Sequence, residues 1–416
     1  MLREFIIPKE PRLLWKTLLR ALNPLHHFTW LNGGSSHDCF LARNAIYHGL
    51  AALGIKAGEN ILVPAFHCRA AIDPIAAYGG DIRFYDVNSD LSPNFHDIKG
   101  KIDEKSRAIL IIHYFGFPQP VEKWQQLCKQ YQLYLIEDCA HVLTGKTPDG
   151  LRLGTAGDIS VFSWRKFLPM YDGGQLVINN VGTTYNPKFA KGDFVVRLKA
   201  AKDTVDRLLE TGLIGNCLSA VLGLSSRAIR NWMLVNSDRV TTLKVNSYDV
   251  EFDPATVNLQ MTTLSKRILQ NSDISTVVKK RRDNYKRLTE AVHAMPGVAP
   301  LFPILPEEVC PWIFPMVAYG TKDLQAVLRA KGIPVTSWSG VIHRVFPLED
   351  FPNARFLYEN LLFLPVHQSL GIEDLQLMIR ILRETLNKTV RIDRSRQVSK
   401  STDAKSSALL PPSLTQ

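Results

Sequence analysis

Lys166 stands in the run Phe162-Ser163-Trp164-Arg165-Lys166-Phe167-Leu168-Pro169-Met170-Tyr171-Asp172-Gly173-Gly174, and Asp138 lies twenty-eight residues upstream in Ile136-Glu137-Asp138-Cys139-Ala140-His141. An amine that condenses with an aldehyde must lose its proton, so it belongs on a constrained turn inside a cleft rather than on a solvated helix. The double glycine supplies the turn, the apolar flanks Phe162, Trp164, Phe167 and Leu168 exclude solvent, and the like charge of Arg165 lowers the amine's proton affinity. An aspartate at the end of a buried strand can hold a pyridine nitrogen protonated, which makes that ring an electron sink. Together the two residues read as a pyridoxal 5'-phosphate site. Neither is persuasive alone, since a strand-end aspartate is commonly a helix cap and adjacent basic residues are commonly a solvated turn.

Other side chains fit around this pair. His141 lies three residues past Asp138 and can approach the cofactor's phenolic oxygen, while the small Cys139 and Ala140 leave room for a flat ring. A lone histidine here is otherwise a satisfied structural residue. Ser163 can donate its hydroxyl to a phosphate. Arg43 and Asn44 open a helix, where free amides and the helix dipole favour an anion; the alternative makes Asn44 an ordinary cap and Arg43 a surface charge. No metal-ligand spacing is present.

The elements that must carry these residues alternate. From about Cys39 to Asn180, short β-branched runs and helical segments follow one another, the pattern of a mostly parallel sheet covered by helices. Strands are expected at Asn60–Pro64, Asp81–Asp86, Ala108–His113, Leu133–Glu137, Ile159–Ser163 and Gln175–Asn179, with helices at Arg43–Leu53, Arg69–Tyr78 and Val121–Tyr131. Asp138 then falls just past a strand's carboxyl end, the edge at which open α/β sheets bind ligands. Residues 185–250 break the alternation and read as a helical insertion. A smaller α+β unit follows over 251–388: a long helix from Val257 to Met295, strands near Trp312–Ala318 and Pro334–Ser337, and a last helix from Ile372 to Leu386. The large domain thus spans 39–184, after an N-terminal segment 1–38, and the polar tail 389–416 is too poor in apolar residues to fold.

Bulk properties agree with a globular protein. The 416 residues are 45% hydrophobic and 21% charged, with a net charge of +11 that attracts anionic partners. Six scattered cysteines without paired spacing suit a reducing cytoplasm. No stretch has the roughly 18 to 20 apolar residues of a membrane span. No basic stripe with interleaved aromatics suggests nucleic acid. The basic, apolar insertion reads as a subunit contact or lid, with a peripheral membrane helix as the lesser alternative.

These motifs resemble the DegT/DnrJ/EryC1/StrS family of pyridoxal-phosphate-dependent sugar aminotransferases, of aspartate aminotransferase fold type I. The resemblance covers roughly residues 40–180 and 255–388. Its markers are Ala51-Ala52-Leu53-Gly54-Ile55-Lys56-Ala57-Gly58, Ile61-Leu62-Val63-Pro64, His113-Tyr114-Phe115-Gly116, Ile136 to His141, Gly157-Asp158-Ile159, Lys166 with Gly173-Gly174, and Leu362-Phe363-Leu364-Pro365-Val366-His367. It implies that Lys166 forms the Schiff base, Asp138 pairs with the pyridine nitrogen, His141 takes the place of a Gln or His near the phenolic oxygen, and Ser163 contacts phosphate. Arg43 and Asn44 replace a small Ser-Gly-Thr-Ala turn, Cys68 stands where an aromatic often stacks on the cofactor, and Ser163 lies closer to Lys166 than the family's spacing. The Asn/Arg stretch donated to the neighbouring subunit is not recognisable at Tyr248 to Asp253.

The function implied is transamination in a homodimer, from an amino acid such as glutamate to a nucleotide-linked keto-sugar, as in surface polysaccharide or amino-sugar biosynthesis. His343, in Val341-Ile342-His343-Arg344, is the candidate contact to the acceptor. The alternatives are a sugar dehydratase or epimerase using the same cofactor, which the presence of Lys166 argues against, and a non-catalytic scaffold or regulator retaining the fold.

Overall fold

The computed structural model describes residues 7–21, 34–179, 185–209, 252–319, 323–339, 342 and 346–387. Seven short strands form its larger sheet: β1 (Ser35–Cys39), β2 (Asn60–Pro64), β3 (Asp81–Tyr85), β4 (Ser106–Ile112), β5 (Tyr134–Cys139), β6 (Ile159–Ser163) and β7 (Gly174–Ile178). Their order is β1-β7-β6-β5-β4-β2-β3. The pairs from β3 through β6 are parallel, and β7 and β1 close one edge antiparallel. Every residue of β2, β6 and β7 is buried. That is the outcome expected of continuous apolar runs in a sheet with both faces covered.

The helices follow as α1 (Trp15–Arg20), α2 (Ala42–Ala52), α3 (Arg69–Tyr78), α4 (Phe95–Lys101), α5 (Val121–Tyr131), α6 (Phe194–Leu209), α7 (Thr263–Asn271), α8 (Ile274–His293), α9 (Leu324–Ala330) and α10 (Pro352–Asn360), with α11 over 372–387. A smaller antiparallel sheet has the order β10-β9-β8, built from β8 (Val298–Pro300), β9 (Ile313–Ala318) and β10 (Leu361–Pro365). One continuous apolar core joins the two sheets, running from Leu110 and Ile136 through Phe115 to Phe314, Phe363 and Leu364. The mostly parallel α/β fold with a smaller α+β portion is therefore as expected.

Three local expectations are corrected. The long helix from Val257 to Met295 is two helices, because Asp273 accepts from the Thr276 amide at 3.1 Å and caps a new start while Ser272 is extended. Pro334–Ser337 is not a strand: Thr336 makes a single bridge to Phe363, and Pro334 has no N–H to give a ladder. Asp138 lies inside β5, paired with Ile112 and Val161, rather than beyond its end. Of the insertion, residues 185–209 are described and contain α6, and the remainder and the tail 389–416 lie outside the described residues. No helix among the described residues is long and apolar enough to cross a membrane.

Candidate active site

A cavity of about 390 Å³ opens at the carboxyl edge of the larger sheet, facing the smaller one, and Lys166, Asp138, His141, Ser163 and Arg43 all line it. Lys166 ends a single 3₁₀ turn, Trp164–Lys166, that leaves β6 directly. The Trp164 amide donates to the Gly173 carbonyl at 2.8 Å, which closes the loop between the lysine and the double glycine. Gly173 has φ of 143°, and its amide donates to Phe40 at 2.9 Å. A Cβ at Gly174 would sit 2.2 Å from the backbone carbon of Leu41, so only glycine lets β7 approach the start of α2. The glycines thus shape the lysine turn and also bring the first residues of α2 to the cavity.

Burial lowers the proton affinity of Lys166, and the charges of Arg165 and Arg43 act in the same direction against the opposing pull of Asp138 and Cys68. Burial raises Asp138, and the charge of Lys166 draws it back down. The two groups therefore share one electrostatic environment. Asp138 Oδ1 accepts from the Ala140 amide at 2.8 Å, which fixes the carboxylate at the strand end. Burial also holds His141 well below the ordinary imidazole range, and the Lys166 charge adds to it. Its Nδ1 accepts from the Phe115 amide at 3.3 Å, so the proton of the neutral ring sits on Nε2 and makes that atom a donor.

Beneath Asp138, the neighbouring Glu137 is an internal hydrogen-bond hub. It accepts from the amides of Gly154, Ala156 and Gly157 at 3.1, 2.7 and 2.6 Å and from His113 Nε2 at 2.9 Å. His113, Glu137 and Cys139 have ligand-type atoms within 4.8 Å of one another, but the carboxylate is already saturated by these donors. The Gly157-Asp158-Ile159 motif acquires a physical reason here: Gly157 feeds Glu137, and Asp158 accepts from the Leu135 amide at 2.8 Å. Both contacts hold β5 and β6 in register under the site.

Not every predicted residue arrives. Asn44 is fully buried, its Nδ2 donates to the carbonyl and hydroxyl of Thr256 at 2.7 and 3.3 Å, and its amide donates to Leu41 at 3.0 Å. It holds α2 to the 254–256 turn and, unlike Arg43, does not line the cavity. His343 lies outside the described residues.

The second wall of the cavity went unread in the sequence. Trp312, just before β9, stacks on His141 with ring centres 4.2 Å apart and 12° between planes, and Lys166 Nζ lies 4.7 Å from its ring centre. Arg281, on α8, is 1% exposed and has no ion pair among the described residues. Its guanidinium donates to the carbonyls of Phe167 and Trp312 at 3.3 and 2.8 Å and to Gln368 Oε1 at 3.0 Å, and it packs 4.8 Å from the Phe167 ring centre. Gln368 Nε2 donates to the same Phe167 carbonyl at 2.8 Å. Arg281 therefore ties the residue after Lys166 to the smaller sheet. The only sequence signal for it was a basic residue on the inward side of an amphipathic helix.

A mostly parallel sheet with a buried aspartate ending one strand and a lysine turn leaving the next defines the fold type I architecture of pyridoxal-phosphate-dependent transferases. Residues 42–187 match the DegT/DnrJ/EryC1/StrS aminotransferase family. The GDP-perosamine synthases of Vibrio cholerae and Escherichia coli O157:H7 are 33% and 34% identical to it over 139 residues, which are 33% of this chain. The chain spans 38% of the length of each of these curated relatives. The solved structure of Helicobacter pylori PseC, an aminotransferase involved in the biosynthesis of pseudoaminic acid, superposes with a TM-score of 0.64 at 17% identity, covering 93% of this chain and all of that one. At that identity the likeness concerns the fold.

Proposed function

We propose that this protein is a pyridoxal-phosphate-dependent aminotransferase that moves an amino group from an amino acid, glutamate in the first instance, to a nucleotide-linked keto-sugar in amino-sugar or surface polysaccharide synthesis. The observation that carries the reading is the convergence of Lys166, Asp138, His141, Ser163 and Arg43 on one cavity at the carboxyl edge of the sheet. The names of the relatives point the same way.

The residues present fit the cofactor. The donor set offers an amine for its aldehyde, a buried carboxylate for its ring nitrogen, and a hydroxyl and a guanidinium for its phosphate, while Ala140 leaves the space beside Asp138 free of bulk. When bound, the cofactor supplies an electron-accepting ring that stabilises charge at the carbon losing or gaining a proton. Asp138 would pair with the ring nitrogen and keep it protonated. His141 Nε2–H would donate to the phenolic oxygen. Ser163 and Arg43 would bind the phosphate beside the start of α2, whose N-cap Leu41 has no side-chain acceptor to compete. Lys166 Nζ, kept short of protons by burial, would take the proton from the donor's carbon and return it as general acid.

The five cysteines among the described residues are free thiols, which supports a reducing, cytoplasmic setting. A homodimer is part of the proposal and is checked by sedimentation of the purified protein. The decisive experiment is a spectral titration: the holoenzyme should show visible absorption that falls on adding glutamate and returns with a nucleotide-linked keto-sugar. A protein that stays colourless with added cofactor, or a coloured one unmoved by glutamate and other amino acids, removes the transaminase reading.

A further inference from the structure

The large apolar side chains that stand exposed are gathered on two helices. Leu14, Trp15 and Leu19 belong to α1 and the residue before it, and Phe194, Val195, Leu198 and Val205 to α6, whereas others such as Tyr134, Ile304 and Ile372 stand singly on separate elements. On α6, Ala200, Thr204 and Leu208, spaced by four, are buried and hold the helix to the body of the protein. Phe194, Leu198, Ala201 and Val205, at i, i+4, i+7 and i+11, fall along another side of the same helix and are all exposed, Phe194 at 72%. Packing a surface helix needs only the first of these stripes. The second is an apolar surface turned outward.

The two helices are neighbours. Leu13 and Ala21, which bracket α1, share one buried cluster with Leu208 near the end of α6, and Arg207 Nη1 lies 3.1 Å from Glu10. Glu10 belongs to a strap over 7–13 that is fastened at both sides: His367 Nε2 donates to the Pro8 carbonyl at 2.9 Å, the Arg12 amide donates to Ser369 Oγ at 2.9 Å, and Ile7 and Leu13 are fully buried. This strap carries Lys9, Glu10 and Pro11 past the cavity and runs directly into α1. Within α1, Leu18 packs on the buried cluster, which leaves Trp15 and Leu19 on the outer side, 57% and 62% exposed.

The charge around these residues has one sign. Arg12, Lys16 and Arg20 accompany Trp15 and Leu19, and Arg197 and Lys199 flank Leu198; all five are exposed and none forms an ion pair among the described residues. No carboxylate occurs from Pro11 to Ala21. The acids of α6 and the strap are engaged: Glu10 and Asp203 with Arg207, Asp206 with Lys202, and Asp193 with the Val196 amide at 2.9 Å. Asp273, which feels the charge of Arg20, is spent on capping α8. A second copy of this chain would set the same unpaired cations against one another. An anionic lipid surface instead satisfies the cations and the apolar stripe together. We propose that α1 and α6 form a docking face for an anionic bilayer, with Trp15, Leu19, Phe194, Leu198 and Val205 entering the headgroup layer and the five cations meeting its phosphates. The contact is peripheral. Because the strap runs from the cavity into α1, it brings that wall of the cavity within a few residues of the lipid.

The test is co-sedimentation of the full chain with vesicles of phosphatidylcholine alone and of phosphatidylcholine mixed with phosphatidylglycerol. The wild type is expected to pellet with the mixed vesicles, to stay in solution with the neutral ones, and to be released by high salt. Phe194→Ser with Leu198→Ser, and Trp15→Ser with Leu19→Ser, should each weaken binding about tenfold or more through the apolar area withdrawn from lipid. Arg197→Gln with Lys199→Gln should weaken it about twentyfold, since each cation near an anionic surface is worth roughly fivefold. All three should melt with the wild type, and the cation pair, which carries no packing, keeps the test decisive if a serine pair folds poorly. A wild type left in solution by the mixed vesicles, equal pelleting with both kinds, or undiminished binding in the cation pair or in a folded serine pair overturns the docking face. A serine pair that dissociates into monomers in sedimentation velocity while still binding lipid as the wild type does also overturns it, because α6 is then a contact between copies. None of these outcomes bears on the aminotransferase reading, which the spectral titration decides separately.

Discussion

The two walls of the cavity are built in different ways. The wall from the larger sheet takes Asp138, His141, Ser163 and Lys166 from one short stretch of chain, each at the end of a strand or on the turn after it. The facing wall gathers Lys9, Arg281, Trp312, Thr336 and His367 from places hundreds of residues apart. Strand ends are set by local pattern, so the first wall is fixed once β5 and β6 pair. The second exists only when the strap, α8 and the smaller sheet have all packed. In the proposed reading the first wall supplies chemistry, and the second supplies shape and placement.

Substitutions on the two walls should accordingly differ in kind. Lys166→Ala removes the amine itself, so the visible absorption should vanish and turnover should fall by about 10²–10⁴-fold with little change in melting temperature. A variant that kept both the colour and the turnover would mean the chemistry does not reside on this wall. Arg281→Met leaves the carbonyls of Phe167 and Trp312 and the Gln368 oxygen without their buried donor, at a cost of about 2–4 kcal/mol. Its thermal midpoint should drop and its visible band should shift, because the lysine turn is no longer tied to the smaller sheet. A band at the wild-type wavelength would show that the tie does not reach the lysine.

The walls should also respond to pH in opposite senses. Burial pushes Asp172, in the lysine turn, up to about 6, above its value of 3.8 in an unfolded chain. The folded state holds that proton longer, so this contribution to stability is present below about pH 4 and is lost as pH rises to about 6. Asp172→Asn should recover about 2–3 kcal/mol at pH 8 and little at pH 4, read from melts at both values. A melt at pH 8 no higher than wild type would count against a strained carboxylate there.

His367 behaves the other way. Burial keeps it neutral down to about 3, against 6.5 unfolded, so stability falls as pH drops below about 6.5. His367→Asn should flatten that acid slope, an effect of about 1–2 kcal/mol at pH 5. An unchanged slope would place the acid sensitivity outside the strap.

Legibility in the sequence followed the same division. Asn60–Pro64, Arg69–Tyr78, Val121–Tyr131 and Ile159–Ser163 have the boundaries that periodicity and punctuation suggest. Where side-chain chemistry competed with pattern, the reading failed. Asp273 cut one long helix in two by capping, and Asn44, a plausible anion ligand at a helix start, was drawn to Thr256 some two hundred residues away. Trp312, expected as the first residue of a strand, precedes β9 instead, and nothing in the strand pattern said that its ring would line the cavity.

The sequence by itself determined the strand and turn that carry Asp138 and Lys166, since the double glycine, the apolar flanks and the strand pattern are local and act within a few residues. Tertiary structure decided the rest. Whether Arg281 faces carbonyls or solvent, whether Trp312 lies over Lys166, and whether the strap brings Lys9 to the cavity depend on burial and partner geometry between distant segments. Spacing along a chain carries no record of such contacts.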